Sequence, residues 1–438
     1  MKIKFLSFLL LLSFTTVEAQ SVIGLNDCIA LGLERNFAIR VAKNYESISA
    51  NNFTKGNAGY LPTVDLSSRY GGTLNNTIQN LADGSQNTTS GVHNTTAYAA
   101  IGLDLTIFDG FSVQTTYKKL DELNQLGALN TQMEVENLIA DIVVGYYDYI
   151  QQVQTLKNIK YAVSLSRERL RIDEERYLLG SNSKLQVLQS RVYLNADSSS
   201  LSRQFETVKA AQIKLNTLMA AENLDAVFQS QDTSIQVNAA LLYEQLLQQT
   251  LQKNTSLLIA SKNKSISAYD KKLIESRAYP YLNFSTGYSY SRNDYSTGTY
   301  NNQSTNGMNY GLNLGITIYD GNNQKRSLKN STLDLKNKEL LYQNLEQNVR
   351  ADLLRIYHAY GNNLRLIRLE EQNMLTAAEN LEIALERYKL GSLSGIELRE
   401  VQKSLLDAKE SLLSIQYQTK LAEVSLQLIA GQIMVYFE

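Results

Sequence analysis

In 438 residues there is one cysteine, there are two prolines and two histidines, and tryptophan is absent. A single thiol excludes an intrachain disulfide framework, and Cys28 lacks the small and aliphatic residues that precede a lipid-bearing cysteine, so it reads as a small buried side chain. His93 falls in a polar segment and His358 stands alone, so no His or Cys pair has the spacing of metal ligands. The chain is therefore read as a non-enzyme with no cofactor. LGSLSG at 390–395 does not alter this, because a nucleophile elbow needs serine where Leu393 stands. Past the first twenty residues no stretch approaches the roughly 18 consecutive apolar residues of a transmembrane helix, so a membrane role would have to come from strands.

What is present begins with MKIKFLSFLLLLSFTTVEAQ, where Lys2 and Lys4 precede an apolar run and Val17-Glu18-Ala19 offers small residues for cleavage. This reads as an export signal over residues 1–19. Its removal takes two lysines and one glutamate, leaving 40 basic and 42 acidic residues with no basic block, so no nucleic-acid partner is expected.

The mature chain is written twice. SISA at 47–50 returns at 265–268, Asn36 matches Asn254 and Pro62 matches Pro280, all at an offset of 218. LTIFDG at 105–110 then meets ITIYDG at 316–321, and ERYLLGS at 175–181 meets ERYKLGS at 386–392, at an offset of 211. The change of offset places a loop seven residues longer in the first copy. Each copy reads helix, proline, variable segment, aromatic-Asp-Gly, long helix, Gly-Ser turn, helix, with repeats at 20–230 and 231–438. A short strand is expected near Ser234–Val237 in the link between copies.

Phe111–Leu178 has no proline and little glycine, and reads as one helix of roughly 100 Å at 1.5 Å per residue. In its counterpart, Asn322–Leu390, the apolar positions Leu341, Leu345, Val349, Leu353, Ile356, Tyr360, Leu364 and Ile367 advance by threes and fours. That stripe suits the core of a helical bundle. The return helix of the first copy, to about Ala220, and an opening helix from about Leu25 to Ala58 would together match the length of the long one.

Between the helices the period changes to two. Ile101, Leu103, Leu105 and Ile107 alternate with polar or small residues, as do Tyr310, Leu312, Leu314, Ile316 and Ile318. Partner strands follow the prolines, through Val64, Leu66 and Tyr70 and through Leu282, Phe284, Tyr288 and Tyr290, with polar loops at 71–96 and 292–306. Strands at about 63–108 and 281–319 with one apolar and one polar face suit a transmembrane barrel, and eleven of the 27 tyrosines lie at 60–108 or 279–319, where an aromatic girdle would be. A soluble sandwich edge is the alternative. Four strands cannot close a barrel, so membrane strands would require an oligomer.

Taken together, the two repeats, the strand pairs, the aromatic-Asp-Gly junctions and the Tyr-x-x-Gly-Ser turns resemble the TolC-like outer-membrane efflux protein family over essentially the whole mature chain. The resemblance implies a mixed α and β fold in which duplicated long-helix hairpins form a periplasmic α-barrel and each chain contributes four strands to a trimeric 12-stranded transmembrane β-barrel. It implies an outer-membrane channel of a tripartite efflux or type I secretion system in a Gram-negative bacterium, passively conducting substrates to the exterior. Its partners would be outer-membrane lipid, a homotrimer, a periplasmic adaptor (membrane fusion) protein and an inner-membrane RND or ABC-type pump. A non-transporting periplasmic coiled-coil spacer or envelope structural protein is the competing reading.

The residues expected to matter follow from that frame. Phe108, Asp109 and Gly110, with Tyr319, Asp320 and Gly321, mark the strand-to-helix junctions. Arg176, Tyr177, Gly180 and Ser181, with Arg387, Tyr388, Gly391 and Ser392, form turns that would dock the adaptor, with Ser181 or Ser392 beside the next helix start. Glu397 and Glu400 are expected to line the pore constriction, and a solvated acidic face with Glu400 paired to Lys403 is the alternative. The family often carries an acid six residues past each turn glycine, but Gln186 stands there in the first copy, and Arg399 replaces a more usual aliphatic residue. These departures leave any ionic tie between the turns open.

Overall fold

A chain almost free of proline builds long helices, and the two longest are identical in length. In the computed structural model, which describes residues 21–297 and 300–437, α4 (Ser112–Leu178) and α8 (Asn323–Lys389) each run 67 residues. The expected export signal and residues 298 and 299 of the second polar loop lie outside the described residues. The return helices α5 (Lys184–Leu218) and α9 (Gly395–Ile429) each run 35 residues, and all four boundaries recur at the offset of 211. The opening segment is broken where one helix was expected, into α1 (Leu25–Arg35), α2 (Phe37–Asn52) and α3 (Lys55–Ala58). Asn36 makes the first break: its ψ of 129° leaves the helical region, its Oδ1 accepts from Ala38 N at 2.8 Å, and its Nδ2 donates to Leu218 O at 3.1 Å. Asn254 does the same between α6 (Tyr243–Lys253) and α7 (Thr255–Ser276), with Nδ2 donating to Ile429 O at 2.9 Å. Each asparagine ends one helix and satisfies the open carbonyl of another.

The described chain divides into two units. The first comprises residues up to Val41, Met133–Asn254 and the chain from Asn348. Its main core gathers Cys28, Ile29, Ile139, Ile142, Tyr146, Ile150, Leu215 and Phe228. A two-stranded parallel sheet closes it, β1 (Ser21–Ile23) beside β4 (Phe228–Ser230), so the linking strand lies before the expected Ser234–Val237, which is irregular. Tyr149 fixes β4 by donating to Phe228 O at 2.9 Å. A second cluster of Leu246, Leu353, Tyr360 and Leu426 confirms the buried centre of the α8 stripe.

The second unit comprises Ala42–Gln132 and Thr255–Gln347. It holds one antiparallel sheet in the order β2 (Thr63–Asn80), β3 (Gln86–Asp109), β5 (Tyr281–Asp294), β6 (Asn302–Gly315). Register carries Val64 to Leu103, Leu66 to Ile101, Ile101 to Tyr288 and Tyr288 to Met308, which puts the large apolar side chains on one face. Asp65, Gly102, Gly287 and Asn309 align on the other. The segments expected as polar loops are mostly strand: pairing continues from Gly71–Thr96 to Asn80–Gln86, and the second hairpin closes at Asp294–Asn302. Those stretches are mostly polar apart from Leu74, Ile78 and Val92 and show no sustained alternation, because backbone pairing needs none. At the other end the alternation of Ile316 and Ile318 outruns the ladder, which stops at Gly315.

Candidate functional site

The recurring aromatic-Asp-Gly phrase starts the long helices. Both carboxylate oxygens of Asp109 accept from Val113 N, at 3.2 and 3.0 Å, and Asp320 Oδ2 accepts from Gln324 N at 2.7 Å. An acid there satisfies an orphan N–H and complements the positive end of the helix. The chain reverses through two consecutive positive-φ residues, Gly110 and Phe111, or Gly321 and Asn322. At Gly110 a side chain is excluded twice over, since a Cβ would lie 2.4 Å from Ser276 O. Phe108 stacks edge-on against Phe111 at 5.3 Å, whereas Tyr319 is exposed.

At the far end of each long helix Gly180 and Gly391 take φ of +75° and +81°. Gly180 N donates to Tyr177 O and Ser181 N to Arg176 O at 3.0 and 2.9 Å, and Gly391 and Ser392 repeat this on Tyr388 and Arg387 at 3.0 and 2.9 Å. This is the left-handed closure that satisfies the last carbonyls of a helix. The helix-starting serines are Ser183 and Ser394, two residues beyond the expected Ser181 and Ser392, whose hydroxyls instead bond Arg176 O and Arg387 O. Ser183 N donates to Gln186 Oε1 and Ser394 N to Glu397 Oε2, both at 2.9 Å, in reciprocal capping boxes. Gln186 and Glu397 thus do the same local work. The Ser394 backbone N–H, then its hydroxyl, holds the Glu397 carboxyl below the usual range, and both Glu397 and Glu400 are exposed.

The two turns meet, but not as equals. Arg176 reaches across to Tyr388 O and to Lys389 O at 3.2 Å, with its guanidinium 5.1 Å from the Tyr388 ring. Arg387 instead serves its own turn, donating to Ser392 O at 3.2 Å. Tyr388 is 2% exposed and its hydroxyl donates to Asp173, while Tyr177 is 45% exposed. Burial, then the Asp173 carboxylate, pushes the Tyr388 phenol up. Asp173 also receives Asn182 Nδ2 at 2.9 Å and the Ser190 hydroxyl. About two helical turns further along, Asp197 accepts both Arg399 Nη1 and Nη2, at 2.7 and 2.8 Å, and the Ser166 hydroxyl at 2.5 Å. An ionic tie therefore joins α5 to α9, made by Asp197 and the unexpected Arg399. A cleft of about 640 Å³ opens between the turns, with Leu185, Tyr193 and Ile396 in its walls.

Asp173, Ser190 and Asp197 were not singled out by motif. Their counterparts at the offset of 211 are Ala384, Val401 and Ala408, and Ala384 and Ala408 belong to an apolar cluster with Leu381, Leu398 and Leu405. Polar residues at core positions of one repeat and alanine or valine at the same positions of the other are the signal that could have found them.

A family model for outer membrane efflux proteins matches residues 246–432. The chain thus resembles the TolC-like outer-membrane efflux proteins. It is 22% identical over 339 residues to the outer membrane protein TolC of Vibrio cholerae serotype O1, covering 73% of this chain and 72% of that relative. In fold it is similar to the Campylobacter jejuni CmeC outer membrane channel, with a TM-score of 0.78, 16% identity, and 93% and 85% of the two chains covered. It is also similar to the outer membrane protein VceC of Vibrio cholerae, with a TM-score of 0.73, 14% identity, and 93% and 96% covered. The chain accordingly has the mixed helix and sheet fold of TolC-like channels.

Proposed function

We propose that three copies of this TolC-like chain form the outer-membrane conduit of a tripartite efflux or type I secretion system, through which substrates pass passively to the exterior. One observation carries the reading: the sheet β2-β3-β5-β6 has one face of exposed apolar side chains, among them Leu66, Tyr70, Met308, Tyr310 and Leu312, and two edges, β2 and β6, without strand partners among the described residues. In lipid an open edge costs several kcal/mol for each unsatisfied backbone group, so β6 of one copy pairs with β2 of the next. Three copies supply twelve strands, enough to close a barrel with the polar face inward. The repeats 20–230 and 231–438 then each contribute one strand pair and one helical hairpin, and the hairpins line a periplasmic tunnel.

The turns dock a periplasmic adaptor, which couples the tunnel to an inner-membrane RND or ABC-type pump. Exposed Leu178, Leu179, Leu185, Leu390 and Ile396 support this, because apolar side chains gathered at helix ends are surface that a partner covers. Glu397 and Glu400, exposed and three residues apart on α9, line the narrow entrance. The experiment is isolation of the outer-membrane fraction: heat-modifiable trimers with single-channel conductance are expected. A soluble, non-conducting periplasmic product would replace the conduit with a spacer.

A further inference from the structure

Arg169 of α4 is 1% exposed, yet it has no carboxylate partner. Its Nη1 donates to Gln402 Oε1 at 3.4 Å, while Nε and Nη2 have no hydrogen-bond partner among the described residues, and neither does the neighbouring Gln402 Nε2, in a side chain 2% exposed. Nε–H and Nη2–H form one edge of the guanidinium and point the same way, which is the fork that proteins use to grip an anion. A buried donor left unmade costs about 1–3 kcal/mol, more when it is charged, so three around one guanidinium call for an occupant. We infer that the Arg169 fork and the Gln402 amide bind a single halide ion, chloride in the cell, between α4 and α9 near the turns.

The donor balance favours an anion. Arg169 and Arg399 both face the Tyr193 ring, and the buried carboxylates nearest them, Asp173 and Asp197, are committed to other donors. The Arg169 fork is therefore left with donors and no acceptor. Burial first, and then Arg399, lowers the tendency of Arg169 to hold its proton, with Tyr388, Asp173 and Asp197 opposing. Water suits the place less well, because it brings two O–H donors that need acceptors of their own. The nearby carboxylates are already engaged: Asp197 receives Arg399 twice and Ser166, and Asp173 receives Tyr388, Asn182 and Ser190. A halide asks only for donors. The second repeat has Asn380 where the first has Arg169, so the site exists once per chain.

The site is independent of trimer closure and is tested on the detergent-purified full chain. Chlorine-35 line broadening should saturate with chloride and be displaced by bromide, and the protein should melt higher in chloride than in gluconate at equal ionic strength. Arg169→Gln should abolish both effects while remaining folded. Gln402→Leu, which keeps the guanidinium but removes the third donor, should weaken chloride at least threefold and decides the matter if Arg169→Gln does not fold. Broadening that never saturates, or that is unchanged in a folded Arg169→Gln or in Gln402→Leu, would overturn the inference and leave a water in the fork.

Discussion

Arg399 on α9 holds both oxygens of Asp197 on α5, at 2.7 and 2.8 Å, with side chains only 19% and 11% exposed. The hydrogen bonds that Arg399 donates to Asp197 raise the guanidinium's affinity for its proton. Removing one partner strands the other charge in a dry site, whereas removing both does not. The repeat itself supplies the replacements, since Asp197 corresponds to Ala408 and Arg399 to Leu188. Arg399→Leu alone should destabilise the protein by about 3 kcal/mol, and Asp197→Ala with Arg399→Leu should recover most of that loss. Thermal unfolding followed by circular dichroism decides it; a double variant as unstable as the single would show that the pair is not the coupled unit.

Two glycines with the same backbone conformation should respond differently to alanine. Gly180, at φ +75°, has open space around a would-be Cβ, so Gly180→Ala meets only left-handed strain of about 1–2 kcal/mol. Gly110, at φ +67°, would press its Cβ on Ser276 O and on Tyr279 Cβ at 2.4 and 2.7 Å. Gly110→Ala should cost about 3 kcal/mol or more, because backbone must move as well. Equal melting temperatures for the two variants would refute the steric account.

Glutamine at 397 and 400 separates entrance charge from helix capping. Gln186 makes the first-copy capping box with an amide, so Glu397→Gln should keep the start of α9 intact within about 0.5 kcal/mol. With the fold preserved, the double variant Glu397→Gln and Glu400→Gln removes six carboxylates from a trimer and should weaken cation selectivity and divalent-cation block. Unchanged selectivity in planar bilayers would put both side chains away from the pore.

Alkaline pH should loosen the helical unit. Tyr147 and Tyr360 are buried, and burial is the main cause that pushes each phenol up to about 12 from its ordinary value of 10. A raised folded-state value means that the native protein keeps a proton the unfolded chain has lost, so stability is full below pH 10 and falls as pH rises from 10 to 12. Each tyrosine contributes up to about 1.4 kcal/mol per pH unit across that window. Tyr360→Phe should shallow the slope, with tyrosinate absorbance reporting titration directly; two phenols ionising near pH 10 in the native state would rule out this linkage.

Local chemistry was legible in the chain. Scarce proline and a three-to-four apolar step gave α4 and α8 to within a residue of their starts, because helix continuity depends on neighbours in sequence. The Gly-Ser closures and the aromatic-Asp-Gly starts were equally local, each satisfied by backbone groups within five residues. Cys28 proved buried, as its lone occurrence had suggested. Where local pattern was silent or too long, the reading missed: residues 71–80 and 86–96 pair without alternation, and Ile316 and Ile318 alternate without pairing. The breaks at Asn36 and Asn254 also needed carbonyls 182 and 175 residues away. Tertiary structure alone decided which polar side chains of the first hairpin meet the second, bringing Asp173 to Tyr388, Asp197 to Arg399 and Arg169 to Gln402. A period of 3.6 fixes the face on which a residue lies, but the partner across that face is set by how two distant helices align, and no run of residues on either helix carries that register.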